Sequence, residues 1–185
     1  MNLREKALKL IDQYIENQNL KKHLLATENL MRHLARKFNG DEEIWALAGL
    51  LHDLDWEMTK ETPEKHPLIA VEILEKEGFP EEVISAIKKH NHLQGFIPET
   101  TLEKALYTCE EMTGFVVAVA LVMPNKKLSE VTVERILNKF KEPSFAKGVN
   151  REIILKAEEM LGLKLEELAE ITLKSMQEIS DELGL

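Results

Sequence analysis

Cysteine is almost missing from this chain of 185 residues, in which Cys109 is the single example. One cysteine cannot form an intrachain disulfide, and so few thiols exclude a zinc finger built from thiolate ligands. A chain without disulfides is typical of a reducing compartment, and we therefore expect a cytoplasmic protein.

Long hydrophobic runs are also missing. The longest one extends from Phe115 to Met123, which is too short to cross a bilayer as a helix. The first residues soon become charged and lack the apolar core of a signal peptide. We therefore expect no association with a membrane.

Positive charge is in deficit, because 24 lysines and arginines face 33 aspartates and glutamates and leave a net charge of −9. Binding a nucleic-acid duplex requires clustered cations that neutralise its phosphates. The composition therefore argues against duplex nucleic acid as a partner, although a local basic patch can still bind a small anion. Hydrophobic residues make up 44% of the chain, which is enough for the core of one domain.

No stretch shows the alternating pattern of a β-strand, and nearly every segment repeats its apolar residues with the helical period. The sequence predicts an all-α domain, with a core over residues 1–124 and a helical C-terminal subdomain over 125–185 packed on it as one globular unit. In the second half of the chain, the predicted helices cover residues 102–122, 129–141 (with Ser129 as N-cap), 151–161 (with Asn150 as N-cap) and 165–183. Pro67 is predicted to open a helix, with His66 at its N-cap.

The segment from Ile44 to Trp56 is the most informative part of the sequence. It begins as a helix with an apolar face, and that face then delivers His52 and Asp53 side by side. Charged groups avoid a protein core unless they are paired or bind a metal. This pair therefore requires a partner from elsewhere in the chain.

Other candidate ligands lie on, or at the end of, inward-facing helical stripes. Glu110 and Glu111 are the only charged residues between Ala105 and Met123, so a buried helix carries two carboxylates that need compensation. Taken singly, each histidine is more often a hydrogen-bonded core or surface residue, and one glutamate could simply pair with a lysine. Taken together, the pattern favours one or two shared ions of Mn, Fe, Co, Ni or Zn. The predicted metal ligands are His23, His52, Asp53, His66, His90 and Glu110.

The order of these residues resembles the HD-domain superfamily of metal-dependent phosphohydrolases and, more narrowly, its bacterial HDIG-type subgroup. The first landmarks are Lys-His-Leu-Leu-Ala-Thr-Glu around His23, Gly-Leu-Leu-His-Asp-Leu-Asp around His52, and His-Pro-Leu-Ile-Ala-Val-Glu-Ile-Leu from His66. Further on come Ala-Ile-Lys-Lys-His-Asn and Ala-Leu-Tyr-Thr-Cys-Glu-Glu-Met-Thr-Gly-Phe, and the resemblance extends over almost the whole chain.

The resemblance implies an HD-domain-like helical bundle with a helical C-terminal extension. It places the family's first metal site on His23, His52 and Asp53, with the family's late aspartate falling at Glu110. His66 and His90 are similar to the additional histidines of two-metal members such as the HD-GYP phosphodiesterases.

The sequence departs from the family at several positions. Glu110 is one methylene longer than the family's aspartate, and Glu111 is the alternative ligand if the register is off by one. Asn91 stands where two-metal members have a second histidine, and His92 could replace it. Asp55 stands at the glycine of the subgroup's motif, where it could orient an imidazole or be solvated.

The resemblance also implies a reaction. We expect hydrolysis of a small phosphorylated metabolite, with a nucleotide as the favoured substrate and with either a phosphomonoester or a phosphodiester as the bond broken. A bound metal would lower the pKa of a water molecule and polarise a phosphoryl oxygen. His52 and Asp53 are the predicted catalytic residues, with Asp53 placed to orient or deprotonate the water.

Three cations are the predicted substrate contacts, namely Lys89 beside His90, Lys127, and above all Arg151 at a predicted helix start. For the basic region from Asn125 to Arg151 as a whole, a solvated face with local ion pairs is the favoured alternative. Four aromatic residues could stack a base, although packing in the core is the favoured interpretation for them: Trp45, Trp56, Tyr107 and Phe115.

Two further functions stay open at this stage. The Glu110 departure is compatible with a non-catalytic sensor that binds a nucleotide or a metal in an inherited pocket. A di-iron oxygenase on the same fold is the third hypothesis. The sequence does not predict the oligomeric state.

Overall fold

A computed structural model describes residues 2–185, and all regular structure within that range is helical. The all-α prediction is therefore confirmed. Three short 3-10 turns lie at Pro63–Lys65, His92–Gln94 and Leu128–Glu130. The α-helices are α1 Leu3–Tyr14, α2 Gln18–Phe38, α3 Glu42–Leu51, α4 Trp56–Thr59, α5 Leu68–Lys76, α6 Glu81–His90, α7 Thr101–Cys109, α8 Glu111–Leu121, α9 Val133–Phe140, α10 Arg151–Leu161, α11 Leu165–Glu178 and α12 Ser180–Leu183.

An antiparallel hairpin of α2 and α3 forms the centre of the fold. The side chain of Asn17 caps α2 by accepting two backbone N–H groups, and Asn39 ends the helix in the left-handed conformation with φ of +55°. Asp41 caps α3 in the same way as Asn17. Only residues 39–41 connect the two helices, so α3 folds back along α2. The first part of α2 therefore lies beside the end of α3, which brings His23 next to His52.

The close approach of these two helices depends on Gly49. A Cβ atom at this position would lie 2.6 Å from the backbone carbonyl oxygen of Thr27 and 2.9 Å from Cγ of Met31. Any side chain would therefore force the helices apart. Glycine is required here for packing rather than for backbone conformation.

The helices beyond residue 124 pack on the same hydrophobic core as the earlier ones. Leu168 and Met176 of α11 are fully buried, and α11 contacts both α2 and α8. α10 contacts α7 in a similar way. The division of the chain at residue 124 stays a prediction.

The longest apolar run of the sequence is part of a core helix. Phe115, Val116 and Val119 of α8 are each fully buried against neighbouring helices. None of the helices formed by residues 2–185 is both long and apolar enough to cross a bilayer.

The prediction of one helix over residues 102–122 is wrong in one respect, because the helix is divided at Glu110 into α7 and α8. The backbone N–H and the hydroxyl of Thr113 both bind the carbonyl oxygen of Glu110. This tight turn replaces the usual i to i+4 bond at that point. Glu110 therefore lies at the junction between α7 and α8.

Other predicted boundaries also shift. α9 begins at Val133 and is capped by Thr132, because the residues around Ser129 form a 3-10 turn instead. The last predicted helix is divided at Ile179, whose backbone leaves the helical region. α5 has Pro67 as its N-cap, so His66 precedes the cap by one residue. The helix over 151–161 with its Asn150 cap is confirmed.

Replacing Gly49 with alanine should destabilise the protein by about 1–3 kcal/mol, because the new methyl group would overlap backbone atoms of α2 that cannot rotate away. The matched control is Gly114→Ala, where no atom lies within 4 Å of the added Cβ. That change should be neutral or stabilising by up to about 1 kcal/mol, as expected within a helix. Urea unfolding measures both, and equal stability of the two variants would contradict this packing argument.

Candidate metal centre

Four imidazoles meet in the interior of the protein, each delivered by the end of a different helix. His23 lies in the first turns of α2, His52 follows α3, His66 precedes α5 and His90 ends α6. The Nε2 atoms of His23 and His52 are 3.1 Å apart, and those of His66 and His90 are also 3.1 Å apart. The histidines therefore form two pairs.

The carboxylate of Asp53 lies between the two pairs. Its Oδ2 is 3.8 Å from Nε2 of His23 and 3.6 Å from Nε2 of His52. Its Oδ1 is 3.2 Å from Nε2 of His66 and 3.6 Å from Nε2 of His90. Glu110 joins the first pair, with Oε2 at 3.6 Å from Nε2 of His23 and 3.9 Å from that of His52.

The helix ends fix the tautomers of two histidines. Nδ1–H of His52 donates to the carbonyl oxygen of Gly49 at 2.8 Å, and Nδ1–H of His90 donates to that of Ile87 at 2.6 Å. A carbonyl oxygen can only accept, so the proton must lie on Nδ1 in both rings. Each Nε2 therefore directs a lone pair toward the centre.

The other two histidines are oriented by side chains. The hydroxyl of Thr113 donates to the carbonyl of Glu110 and so accepts from Nδ1–H of His23 at 3.1 Å. Nδ1–H of His66 donates to Oδ1 of Asp55 at 2.7 Å. Asp55 is completely buried and its Oδ2 accepts the backbone N–H of Ala70. Of its two predicted roles, Asp55 thus has the orienting one.

Burial favours the uncharged form of both histidines in the first pair. Burial lowers the pKa of His52 to about 3 and also lowers the pKa of His23, despite the attraction of Asp53. Both rings carry their proton on Nδ1, so two lone pairs face each other across 3.1 Å. This contact is repulsive unless a cation lies between the two nitrogens. Ligands bound at about 2.1 Å from one ion and at right angles to each other lie about 3.0 Å apart, which matches the spacing.

The carboxylates at the centre have only imidazoles to compensate them. Burial and the neighbouring charges of Glu111 and Asp53 raise the pKa of Glu110 well above its ordinary value. Burial opposes ionisation of Asp53, but the neighbouring imidazoles, His52 first and then His66 with its Nε2 at 3.2 Å, hold its pKa well below the ordinary range. Among the ion pairs of residues 2–185, none brings a lysine or arginine to these carboxylates. The chemistry of the donor set fits a metal cation, and two groups of side chains have suitable spacing: His23 with His52 and Glu110, and His52 with Asp53 and His90.

A cavity of about 310 Å³ opens onto this cluster. It is formed by residues from all the contributing helix ends and from two loops. Its lining consists of His23, Asp53, Trp56, Pro63, His66, His90, Asn91, His92, Leu93, Glu110, Glu111, Gly114 and Gly148.

The three cations predicted to bind substrate are engaged elsewhere, and within the described part of the chain none of them lines this cavity. Lys89 binds the carboxylates of Glu99 and Glu103. Arg151 donates to three backbone carbonyls of the segment 140–145, where it holds the loop before α10. The ammonium of Lys127 lies 3.5 Å from the carbonyl oxygen of Gly184. The sequence could not show that these cations have intramolecular partners.

The structure also decides between neighbouring candidates. Glu110 approaches the histidine pair, whereas Oε2 of Glu111 accepts the backbone N–H of Asn150. Asn91 uses both ends of its amide for the backbone of His66 and Leu93, so it supports the loop instead of replacing a ligand. His92 is exposed at the rim. Thr113 was not among the predicted site residues, and its position three residues after Glu110 was the available signal.

The likeness to known proteins agrees with this geometry. The family model of the HD domain matches residues 20–113, which is more than half of the chain. This span begins in α2 and ends at Thr113, so it includes every histidine and carboxylate of the cluster. The chain belongs to the HD domain family, as the resemblance predicted; the narrower subgroup stays a prediction.

Several curated proteins are similar over part of the chain. A ribonuclease Y of Acidothermus cellulolyticus is 32% identical over 75 residues, or 40% of this chain and 15% of that protein. The ribonuclease Y of Lawsonia intracellularis is 29% identical over 97 residues, or 52% of this chain and 18% of that protein. The ribonuclease Y of Salinispora arenicola is 28% identical over 89 residues, or 48% of this chain and 15% of that protein. The chain thus spans less than a fifth of these relatives. No solved structure matches it significantly.

Replacing Asp55 with asparagine should lower the pKa of His66 in the metal-free protein. Burial alone would lower this pKa, but hydrogen bonds to Asp53 and Asp55 outweigh burial and raise it from 6.5 to about 9. The resulting stabilisation is fully present below pH 6.5 and is lost as the pH rises through about 9. In the variant the pKa should return toward 6.5, and stability should change less over this pH window.

The measurement is an NMR titration of the imidazole resonances after chelation of metal. His33 provides an internal reference, because it pairs with Glu178. A His66 resonance that still titrates near 9 in the variant would show that Asp55 does not hold this ring.

Proposed function

We propose that this protein is a metal-dependent phosphohydrolase that acts on a small phosphorylated metabolite, with a nucleotide as the favoured substrate. HD domains are generally metal-dependent phosphohydrolases. The observation that carries the proposal for this chain is the pair of imidazoles whose Nε2 atoms face each other at 3.1 Å beside Asp53 and Glu110. Such an arrangement is stable when it shares a cation.

The side chains suggest two neighbouring ions. His23, His52 and Glu110 would hold the first, and His66 and His90 the second, with Asp53 between the two pairs as a ligand available to either ion. Imidazole and carboxylate ligands without thiolates suit Mn, Fe, Co, Ni or Zn. When bound, such ions lower the pKa of water and neutralise charge on a phosphoryl group.

The chain's own residues then position the reactants. Because its pKa lies well below the ordinary range, Asp53 remains ionised and is a weak base. It is therefore better suited to accepting a hydrogen bond from the attacking water, and thereby orienting it, than to removing its proton. The buried tautomers of His52 and His90 keep the donor atoms fixed, so little reorganisation accompanies the reaction.

The shape and charge of the cavity support a small substrate. Its volume of about 310 Å³ is at the lower end of small-molecule sites. In the part of the chain that the structure describes, the cavity lining includes no lysine or arginine that could follow a polynucleotide backbone. The net charge of −9 also disfavours a polynucleotide substrate.

Hydrolysis of phosphodiester bonds in single-stranded RNA is the second candidate. It is favoured by the relatives that the chain resembles over 75 and 97 residues, which are named as ribonucleases. It is less well supported than a small substrate, because those relatives are more than five times longer than the matched region.

We expect the purified protein to retain a transition metal and to hydrolyse at least one phosphorylated metabolite when loaded with Mn, Co or Ni. Asp53→Asn and His52→Ala should each lower kcat/KM by about 100-fold or more, because each removes a shared ligand. His33→Ala is the matched control, since this imidazole pairs with Glu178 outside the cavity.

Elemental analysis, followed by a screen of phosphorylated metabolites and a single-stranded RNA oligonucleotide, measures these outcomes. Cleavage of RNA alone would favour the second candidate. Absence of both bound metal and phosphoester hydrolysis would overturn the proposal. A mixed-valent di-iron signal with substrate oxidation would instead indicate an oxygenase.

Glu110→Gln should lower the number of tightly bound ions from two toward one, because the charge beside His23 and His52 is lost while the shape is kept. Glu111→Gln is the control, since this side chain accepts a backbone N–H in the same turn region. Isothermal titration with Mn²⁺ gives the number of ions bound by each variant. A loss confined to the Glu111 variant would indicate that Glu111, and not Glu110, is the metal ligand. For a sensor, nucleotides would raise the melting temperature without turnover, and Glu110→Asp would change neither result.

A further inference from the structure

Three of the four aromatic residues that could stack a base are core residues. The exposed fractions are 5% for Trp45, 9% for Tyr107 and 0% for Phe115, so the core-packing interpretation applies to them. Trp56 is different, with 40% of its surface exposed. An indole that is partly exposed and also lines a cavity is positioned to contact a ligand.

Trp56 lies at the mouth of the cavity that leads to the metal ligands. Its ring is edge-on to the imidazole of His66, with the ring centroids 5.2 Å apart and an interplanar angle of 82°. The indole is therefore anchored beside the second histidine pair, while part of its surface faces the cavity. A ligand whose phosphate reached the histidines would bring its other end close to this ring.

The surroundings of Trp56 form an apolar wall, which consists of Trp56, Pro63 and Leu93. The three residues come from short helical segments that contact one another in turn. The amide of Gln94 joins them by donating to the carbonyl oxygens of Glu64 at 2.7 Å and His66 at 2.6 Å. The wall is thus fixed to the same backbone that carries His66.

The two sides of the cavity differ in chemistry. The apolar wall adjoins His66, whereas Glu110 and Glu111 adjoin the first histidine pair. A wall without charges cannot bind the phosphate or an acidic group. It suits an uncharged flat ring, since an indole face stacks on aromatic systems and especially on nucleobases.

We propose that Trp56 stacks on the base of a nucleotide whose phosphate lies at the metal ligands, and that the apolar wall is the specificity site for that base. This inference rests on the proposed function and makes its substrate class definite. It assigns Trp56 to substrate binding and gives it no part in the chemical step.

Tryptophan fluorescence tests the stacking without any need for turnover, because the chain contains only two tryptophans. In Trp45→Phe the emission comes from Trp56 alone, and adenosine monophosphate should quench it with saturation, whereas ribose 5-phosphate should not. In Trp56→Phe the remaining emission of the buried Trp45 should not respond to either compound. If Trp45→Phe folds poorly, the difference between the wild type and Trp56→Phe gives the same signal.

Kinetics test the selectivity. Trp56→Leu should lower the ratio of kcat/KM for adenosine monophosphate to that for ribose 5-phosphate by about tenfold, as expected for one lost stacking contact. Trp56→Phe should restore most of the ratio, and Trp45→Phe should leave it unchanged.

The outcomes separate this inference from the proposed function. Saturable quenching of Trp56 without hydrolysis would keep the base site and overturn the phosphohydrolase. Hydrolysis with no quenching, and with an unchanged ratio in Trp56→Leu, would keep the phosphohydrolase and overturn the base site.

Discussion

The structure depends on one electrostatic constraint, namely that four imidazole nitrogens and the carboxylate of Asp53 converge in a buried place. Within residues 2–185 this cluster has no lysine or arginine to offset it. In a medium of low dielectric constant, facing lone pairs and carboxylates without a lysine or arginine partner cost far more than they do in water. A shared cation removes this cost, and it explains why such polar groups are tolerated inside the helical core. The cavity and the proposed reaction both follow from this constraint.

The helical fold supplies the required geometry through the ends of its helices. The last carbonyls of an α-helix have no partner within the helix. In α3 and α6 such carbonyls accept Nδ1–H of His52 and His90. Each of these hydrogen bonds satisfies a free backbone carbonyl and also fixes the tautomer of the histidine. The same logic explains the break at Glu110, where Thr113 binds the carbonyl that the helix leaves free and also orients His23. Helix termini therefore act here as the supports of the donor atoms.

Much of this could be predicted from the sequence, because helical periodicity and capping residues are local signals. The all-α class, the Asn150 cap and the gathering of histidines on inward faces depend on such signals. The break at Glu110 could not be predicted, since it depends on the hydroxyl of Thr113 competing for a backbone carbonyl. The contacts of Arg151 could not be predicted either, because its partners are carbonyls of a loop whose path only the tertiary structure defines. Clusters of basic residues in a sequence do not reveal which of them are already paired.

The separation of charge from apolar surface explains how an acidic protein can accept an anionic substrate. A phosphate that approached this cavity without bound ions would meet Asp53, Glu110 and Glu111, and no lysine or arginine among the described residues that line it. Metal occupancy must therefore reverse the local potential before a phosphate can bind. The apolar wall around Trp56 carries no charge, so its affinity for a flat ring should not depend on that reversal. Recognition of the two ends of a nucleotide thus rests on separate physical interactions, and only the phosphate end is coupled to the metal.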